Sequence, residues 1–109
     1  VIAADATTPL PALVVRDTRA AAATVAAAFY AEPARGLQLV AVTGTNGKTT
    51  TVGLLRHLLH ADATPSASIG TLGVLLGDGA PFPGGSGLTT PGPIELQRVL
   101  RALADAGVR

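Results

Sequence analysis

The stretch VAVTGTNGKTTTVGLL, residues 40–55, decides the fold prediction because it sets a glycine-containing loop between two apolar segments. The apolar segment that leads into the loop, residues 37–43, is typical of a buried strand. Beyond the loop, apolar side chains recur with the spacing of one helix face: Val52, Leu55, Leu58 and Leu59. The stretch therefore predicts a strand, a loop and a helix in that order.

The loop has the residue types that bind phosphate at the start of a helix. The first N–H groups of a helix lack partners within it, and its N-terminal end is partly positive, so an anion is favoured there. Gly44 and Gly47 allow the backbone to approach phosphate oxygens closely. Lys48 is placed to reach the β and γ phosphates of a nucleoside triphosphate, and Thr49 to offer a hydroxyl to Mg²⁺. The alternative is a glycine turn with an exposed lysine, since the usual phosphate-loop pattern has glycine where this chain has Val42.

Short apolar runs predict further strands along the chain. These predicted strands cover residues 13–16, 67–71 and 73–76. Polar residues at 31–36 predict a linker, and a loop rich in glycine and proline is predicted at 77–87. Strands that alternate with helices predict an α/β fold with a mainly parallel sheet.

Two more helices are predicted from their end signals and their periodicity. The first begins at an N-cap, Asp17 or Thr18, and runs through alanine-rich sequence to about Tyr30. The second opens at Pro93, which a first helical turn tolerates, and closes at Gly107. Its predicted buried stripe consists of Leu96, Val99, Leu100 and Leu103.

Composition excludes several classes of function. The chain has 109 residues, a formal net charge of +1 and no cysteine. Its basic residues are scattered, so no binding to nucleic acid is expected. The lack of disulfides suits a reducing compartment, and we expect a monomer in the cytoplasm. No segment has the pattern of a signal peptide or a membrane span, so no membrane insertion is expected, and the character of both ends predicts an excerpt of a longer protein.

Four stretches together resemble the Mur ligase family, the ATP-dependent amide-forming enzymes of peptidoglycan synthesis. They are TGTNGKTTT at 43–51, DTRAAAATVAAAFYAEP at 17–33, SIGTLGV at 68–74 and TTPGPIELQ at 89–97. Their order is most similar to the branch of the family that adds the third residue of the stem peptide. The resemblance implies that residues 1–33 end an N-terminal UDP-substrate-binding domain, and that residues 34–109 start a P-loop central ATP-binding domain.

The resemblance also implies a reaction. ATP would phosphorylate the carboxylate of UDP-N-acetylmuramoyl-dipeptide, and the amine of a diamino acid would displace phosphate from the acyl phosphate. Family members need a carbamylated lysine and a C-terminal domain for the amino acid as well, so the excerpt is expected to be inactive alone.

The same resemblance assigns the site residues. Lys48 would be the catalytic residue and Thr49 would bind Mg²⁺. Thr89 and Thr90 would contact the UDP-sugar peptide, although Leu88 stands where the family often has asparagine. The residues that would bind ATP are Gly44, Thr45, Asn46, Gly47, Lys48, Thr49 and Thr50.

Three functions fit these residues. They are a piece of a Mur ligase, a related P-loop amide ligase of the cyanophycin or folylpolyglutamate synthetase type, and a non-catalytic interaction module with a structural glycine loop. Thr89 and Thr90 have a structural alternative as well, as a turn and N-cap ahead of Pro91 and Pro93.

Other polar residues give weaker signals. His57 and His60 lie three apart on one predicted helix, but no cysteine or nearby carboxylate completes a metal site. Asp78 suits a hairpin turn, and Glu95 suits the positive start of the last helix.

Overall fold

The computed structural model describes residues 2–3, 7–84 and 90–109, with residues 2–3 described by their backbone. Two small sheets and three helices make up the described part. Strands β1 (Ile2–Ala3) and β2 (Val14–Val15) form a short parallel pair. Strands β3 (Ala67–Gly70), β4 (Gly73–Leu76) and β5 (Pro81–Phe82) form an antiparallel sheet in the order β3-β4-β5. The helices are α1 (Thr18–Phe29), α2 (Lys48–Ala61) and α3 (Pro93–Asp105).

The sheet arrangement differs from the predicted one. Sequence predicted a mainly parallel sheet with a strand at 37–43, whereas the larger described sheet is antiparallel and residues 37–43 belong to neither sheet. A strand exists only where a neighbouring backbone supplies hydrogen-bond partners. No described residue pairs with this segment, so its apolar, strand-like composition does not produce a strand here.

The main core lies between the antiparallel sheet and α3. Val74 of β4 contacts Val99 and Leu103 of α3, and all three side chains are buried. Partly buried apolar residues surround this cluster: Ala67, Ile69, Leu76, Phe82 and Val108. Of the predicted buried stripe of α3, Val99, Leu100 and Leu103 are buried, and Leu96 is partly buried.

Helix α3 ends through a hydrogen-bonded glycine turn. Gly107 has a φ of +90°, which glycine adopts without steric cost. Its N–H donates to Ala104, and the N–H of Val108 donates to Leu103, which satisfies carbonyls left free at the helix end. One turn earlier, the hydrogen bond from Arg101 lowers the pKa of the Asp105 carboxyl. The predicted closure at Gly107 is confirmed.

Helix α1 begins as its sequence predicts and packs against α3. The Asp17 carboxylate accepts a hydrogen bond of 2.9 Å from the N–H of Ala20, which fixes the first turn. After α1 the chain turns through Ala31 and Glu32, which have φ values of 58° and 48°, into a short 3-10 helix, Pro33–Gly36. The predicted linker at 31–36 is thus an ordered turn.

Helix α2 is the least buried of the three. All its residues are described and none is buried. Leu58, predicted to be in the apolar stripe, is 57% exposed, and Leu54 is 58% exposed. Among the described residues, α2 meets mainly β3, and three residues of the predicted stripe, Val52, Leu55 and Leu59, are partly buried. The helix forms as its apolar spacing predicted, and of the four residues with that spacing Leu58 is the one left exposed.

Candidate functional site

The glycine loop, residues 43–48, runs directly into α2. Gly47 is the N-cap of this helix and has a φ of 80°, in the left-handed region that favours glycine. Gly44 has a φ of 141°. These two glycine conformations bend the backbone of the exposed loop as it enters the helix. Consecutive backbone N–H groups in such a bend can together bind an anion.

Backbone N–H groups are available along the whole loop. The first helical hydrogen bond runs from the N–H of Thr51 to the carbonyl of Gly47, at 2.9 Å. The N–H groups of residues 44–50 donate to no described acceptor. Free N–H groups together with the positive end of a helix dipole favour an anion at this position.

Lys48, the only lysine in the sequence, lies at the end of this loop. Its Nζ donates to the carbonyl of Gly44 at 2.5 Å and lies 3.5 Å from the carbonyl of Thr45. Because the lysine ammonium has three N–H donors, these contacts leave it able to donate to a further acceptor. The side chain is half-buried, so its charge is held against the loop rather than extended into solvent.

A cleft of about 640 Å³ opens beside the loop. One wall is the glycine loop and the first turns of α2, and the other is the β3–β4 hairpin. The hydroxyls of Thr49 and Thr71 approach to 3.5 Å across the cleft. Thr90, which precedes α3, lines the same cleft.

The structure brings most of the predicted site residues together. Every residue predicted to bind ATP lines the cleft: Gly44, Thr45, Asn46, Gly47, Lys48, Thr49 and Thr50. Thr90, predicted to contact a UDP-sugar peptide, lies there too, while Thr89 and Leu88 fall outside the described residues. The alternative in which Thr90 caps α3 is wrong, because the N-cap is Gly92 and, among the described residues, no side chain bonds to the helix start.

The other polar residues considered as site candidates either have a structural role or lie outside any group of described residues that could bind a metal. In the described ranges, no three His, Cys, Asp or Glu side chains come close enough to hold a metal, so His57 and His60 form no such group. The Asp78 carboxylate accepts a hydrogen bond of 2.8 Å from the N–H of Ala80, as expected for a turn. Glu95 lies in the first turn of α3.

The cleft also contains Thr71 and Arg56, to which the sequence assigns no role. Thr71 lies within the stretch SIGTLGV, and Arg56 lies on the helix that follows the glycine loop. The Arg56 guanidinium, part-buried, donates to the carbonyls of Leu76 at 2.6 Å and Gly77 at 2.9 Å. Its spacing of eight residues after Lys48 offers a weak signal, since residues at that spacing share a helix face.

A glycine loop that opens a helix beside a small sheet makes this an α/β protein with a candidate anion site at a helix start. Residues 42–109 match the Mur ligase middle domain, which is more than half of the chain. The chain belongs to the Mur ligase family.

Curated relatives agree with this assignment. A UDP-N-acetylmuramyl-tripeptide synthetase of Deinococcus radiodurans is 44% identical over 105 residues, covering 94% of this chain and 21% of the relative. A UDP-N-acetylmuramoyl-L-alanyl-D-glutamate--2,6-diaminopimelate ligase of Geobacillus thermodenitrificans is 40% identical over 99 residues, covering 91% and 20%. The ligase of the same name from Xanthomonas campestris pv. campestris is 42% identical over 106 residues, covering 97% and 21%. The chain thus spans about a fifth of the length of the curated relatives it matches.

One further finding concerns membranes. None of the helices in the described part of the chain is long and apolar enough to cross a membrane.

Proposed function

We propose that this chain forms the ATP-phosphate site of a ligase of peptidoglycan synthesis that joins a diamino acid to UDP-N-acetylmuramoyl-dipeptide. The observation that carries the proposal is the glycine loop, where the N–H groups of residues 44–50 have no described acceptor and Lys48 Nζ is held at the loop. The names of the relatives, a tripeptide synthetase and diaminopimelate ligases, support the substrate class. Residues 1–33 would then end a UDP-substrate-binding domain, and residues 34–109 would begin a P-loop ATP-binding domain with a mainly parallel sheet.

The residues of the cleft fit the phosphates of ATP. Backbone N–H groups and a lysine ammonium are the donors that phosphate oxygens accept from. Lys48 would stabilise the charge that moves onto the transferred phosphoryl group, because its ammonium is already fixed at the loop before reaction.

Thr49 is the residue of the loop that would bind Mg²⁺. Mg²⁺ takes oxygen ligands, and the Thr49 hydroxyl is exposed at the cleft. When bound, the metal neutralises charge on the phosphates. The hydroxyl would orient the metal and the phosphates relative to Lys48, one residue before it.

Thr90 would contact the second substrate. It lies exposed on the same cleft as the glycine loop and does not cap α3, so its hydroxyl is available to a ligand. Together with Thr89 it would hold the UDP-sugar peptide next to the phosphates. We place the reaction in the cytoplasm and expect a monomer.

The test is ligation by the full-length protein with ATP, Mg²⁺, UDP-N-acetylmuramoyl-dipeptide and candidate diamino acids, with phosphate release and tripeptide product as readouts. Lys48→Ala should lower the turnover at least about a hundredfold, as removal of one preorganised donor does in other enzymes. Far-UV circular dichroism should be unchanged, because Lys48 is not part of the core.

The matched control is Arg98→Ala, which removes an exposed cation of α3 that does not line the cleft and should leave turnover intact. The isolated 109-residue chain, assayed in parallel, should give no tripeptide. Near wild-type turnover by Lys48→Ala would contradict the proposal.

A further inference from the structure

We propose that Thr71, in the turn between β3 and β4, is a positioning residue that orients the Thr49 hydroxyl and thereby tunes Mg²⁺-dependent nucleotide binding. The inference rests on the proposed function, and it concerns a residue to which neither the sequence pattern nor the relatives assign a role. Its basis is the approach of the two hydroxyls, 3.5 Å apart, across the cleft.

The position of Thr49 in α2 leaves its hydroxyl without the partner that helical threonines often use. A threonine inside a helix can turn its hydroxyl back to the carbonyl three or four residues earlier, but Thr49 is the second residue of α2, so those carbonyls, of Asn46 and Thr45, belong to the loop. Thr24 of α1 takes that option and donates to the carbonyl of Ala20 at 3.1 Å. The Thr49 hydroxyl instead faces the Thr71 hydroxyl on the other side of the cleft. In this orientation the Thr49 hydroxyl lies in the cleft.

The oxygen separation favours an indirect role for Thr71. Adjacent ligands of an octahedral Mg²⁺ with bonds of about 2.1 Å lie about 3.0 Å apart. The separation of 3.5 Å between the Thr49 and Thr71 hydroxyls is longer, and it lies at the long limit of a hydrogen bond between two hydroxyls. Thr71 therefore acts through Thr49.

The end of the β3–β4 hairpin opposite its turn is hydrogen-bonded to α2. This contact fixes the hairpin on the helix and keeps Thr71 close to Thr49. Gly70 pairs with Gly73 across the β3–β4 turn, which leaves Thr71 and Leu72 as the turn residues. At the far end of β4, Arg56 of α2 donates to the carbonyls of Leu76 and Gly77. Helix α2 thus meets the hairpin at both ends, through Thr49 at its first turn and Arg56 two turns later.

The experiment measures binding of a non-hydrolysable ATP analogue to the full-length protein by calorimetry, with Mg²⁺ and with a chelator instead. Thr71→Val keeps the shape and the β-branch but removes the hydroxyl, and Thr71→Ser keeps the hydroxyl. With Mg²⁺, Thr71→Val should bind about two- to fivefold more weakly, the lower part of the range for one net hydrogen bond, because the separation of the two hydroxyls, 3.5 Å, is long. Thr71→Ser should stay within about twofold of wild type. In the chelator all three proteins should bind alike, because the metal that Thr49 would ligate is then absent.

Controls separate this inference from the proposal on which it rests. Thr24→Val removes a threonine hydroxyl in α1, outside the cleft, and should bind as wild type does. If Thr71→Val does not fold by circular dichroism, Thr71→Ala provides the same loss of the hydroxyl. Equal binding by Thr71→Val and wild type, or a loss of the same size in chelator, would overturn the role of Thr71 alone. Failure of the wild-type protein to bind nucleotide in either buffer would overturn the proposed function as well.

Discussion

Two glycine-to-alanine substitutions in one helical segment should have opposite effects on the stability of α2. Gly47, the N-cap of this helix, has a φ of 80°, and no atom lies within 4 Å of the position that an alanine Cβ would take there, so the cost of alanine is conformational alone. A non-glycine residue in the left-handed region costs roughly 1–2 kcal/mol. Gly53 lies inside the helix with a right-handed conformation, and its added Cβ also meets nothing within 4 Å. Alanine there should stabilise the helix by roughly 0.8–1.0 kcal/mol.

Hydrogen exchange of α2 amides in the nucleotide-free, full-length protein measures both effects locally. Gly47→Ala should accelerate exchange of the first hydrogen-bonded amides of α2, from Thr51 onward, roughly 5- to 30-fold, the ratio that 1–2 kcal/mol gives. Gly53→Ala should slow it roughly fourfold, because about 0.8 kcal/mol corresponds to that factor. Amides of α1 serve as an internal reference that neither change should move. A shift of the same sign in both variants would refute the reasoning, since the backbone conformation of the two glycines is the only basis for the difference.

Two other substitutions test separate parts of the structure. Replacing Thr89 and Thr90 with alanine in the full-length protein should raise the KM for the UDP-sugar peptide far more than the KM for ATP, because the described member of the pair, Thr90, lines the cleft without capping α3. Steady-state kinetics with each substrate varied in turn decide this, and equal effects on both KM values would contradict the substrate role. Asp17→Ala should destabilise α1 by about 1 kcal/mol, because it removes the acceptor of the Ala20 N–H, whereas Asp17→Asn should retain most of the stability. Exchange protection of the α1 amides provides the measurement, and an unchanged first turn would show that the carboxylate is not a working cap.

Local signals predicted the elements whose stability depends on nearby residues. Asp17 begins α1 and Gly107 closes α3 because each satisfies free backbone groups within a few residues of itself. The strands predicted at 67–71 and 73–76 form as Ala67–Gly70 and Gly73–Leu76. For the same reason, the residues of the glycine loop could be selected from one stretch of sequence.

Features that depend on distant partners were not predicted. The segment at 37–43 has the composition of a strand, but composition does not specify which backbone will lie beside it. Leu58 fits a helical stripe, yet its burial depends on what covers that face of α2. Thr71 approaches Thr49 from 22 residues away along the chain, and only the packing of the hairpin on α2 brings them together.

The apolar segment at 37–43, ahead of the glycine loop, bears on how this polypeptide behaves in solution. Leu39 and Val40 are 59% and 70% exposed, and their backbone pairs with no described residue. An apolar segment with unpaired N–H and C=O groups can pair with the same segment of another molecule, which is a common start of aggregation. The segment therefore favours aggregation of the 109 residues expressed separately, and a poor yield would carry no information about the affinity of the adjoining loop for nucleotide.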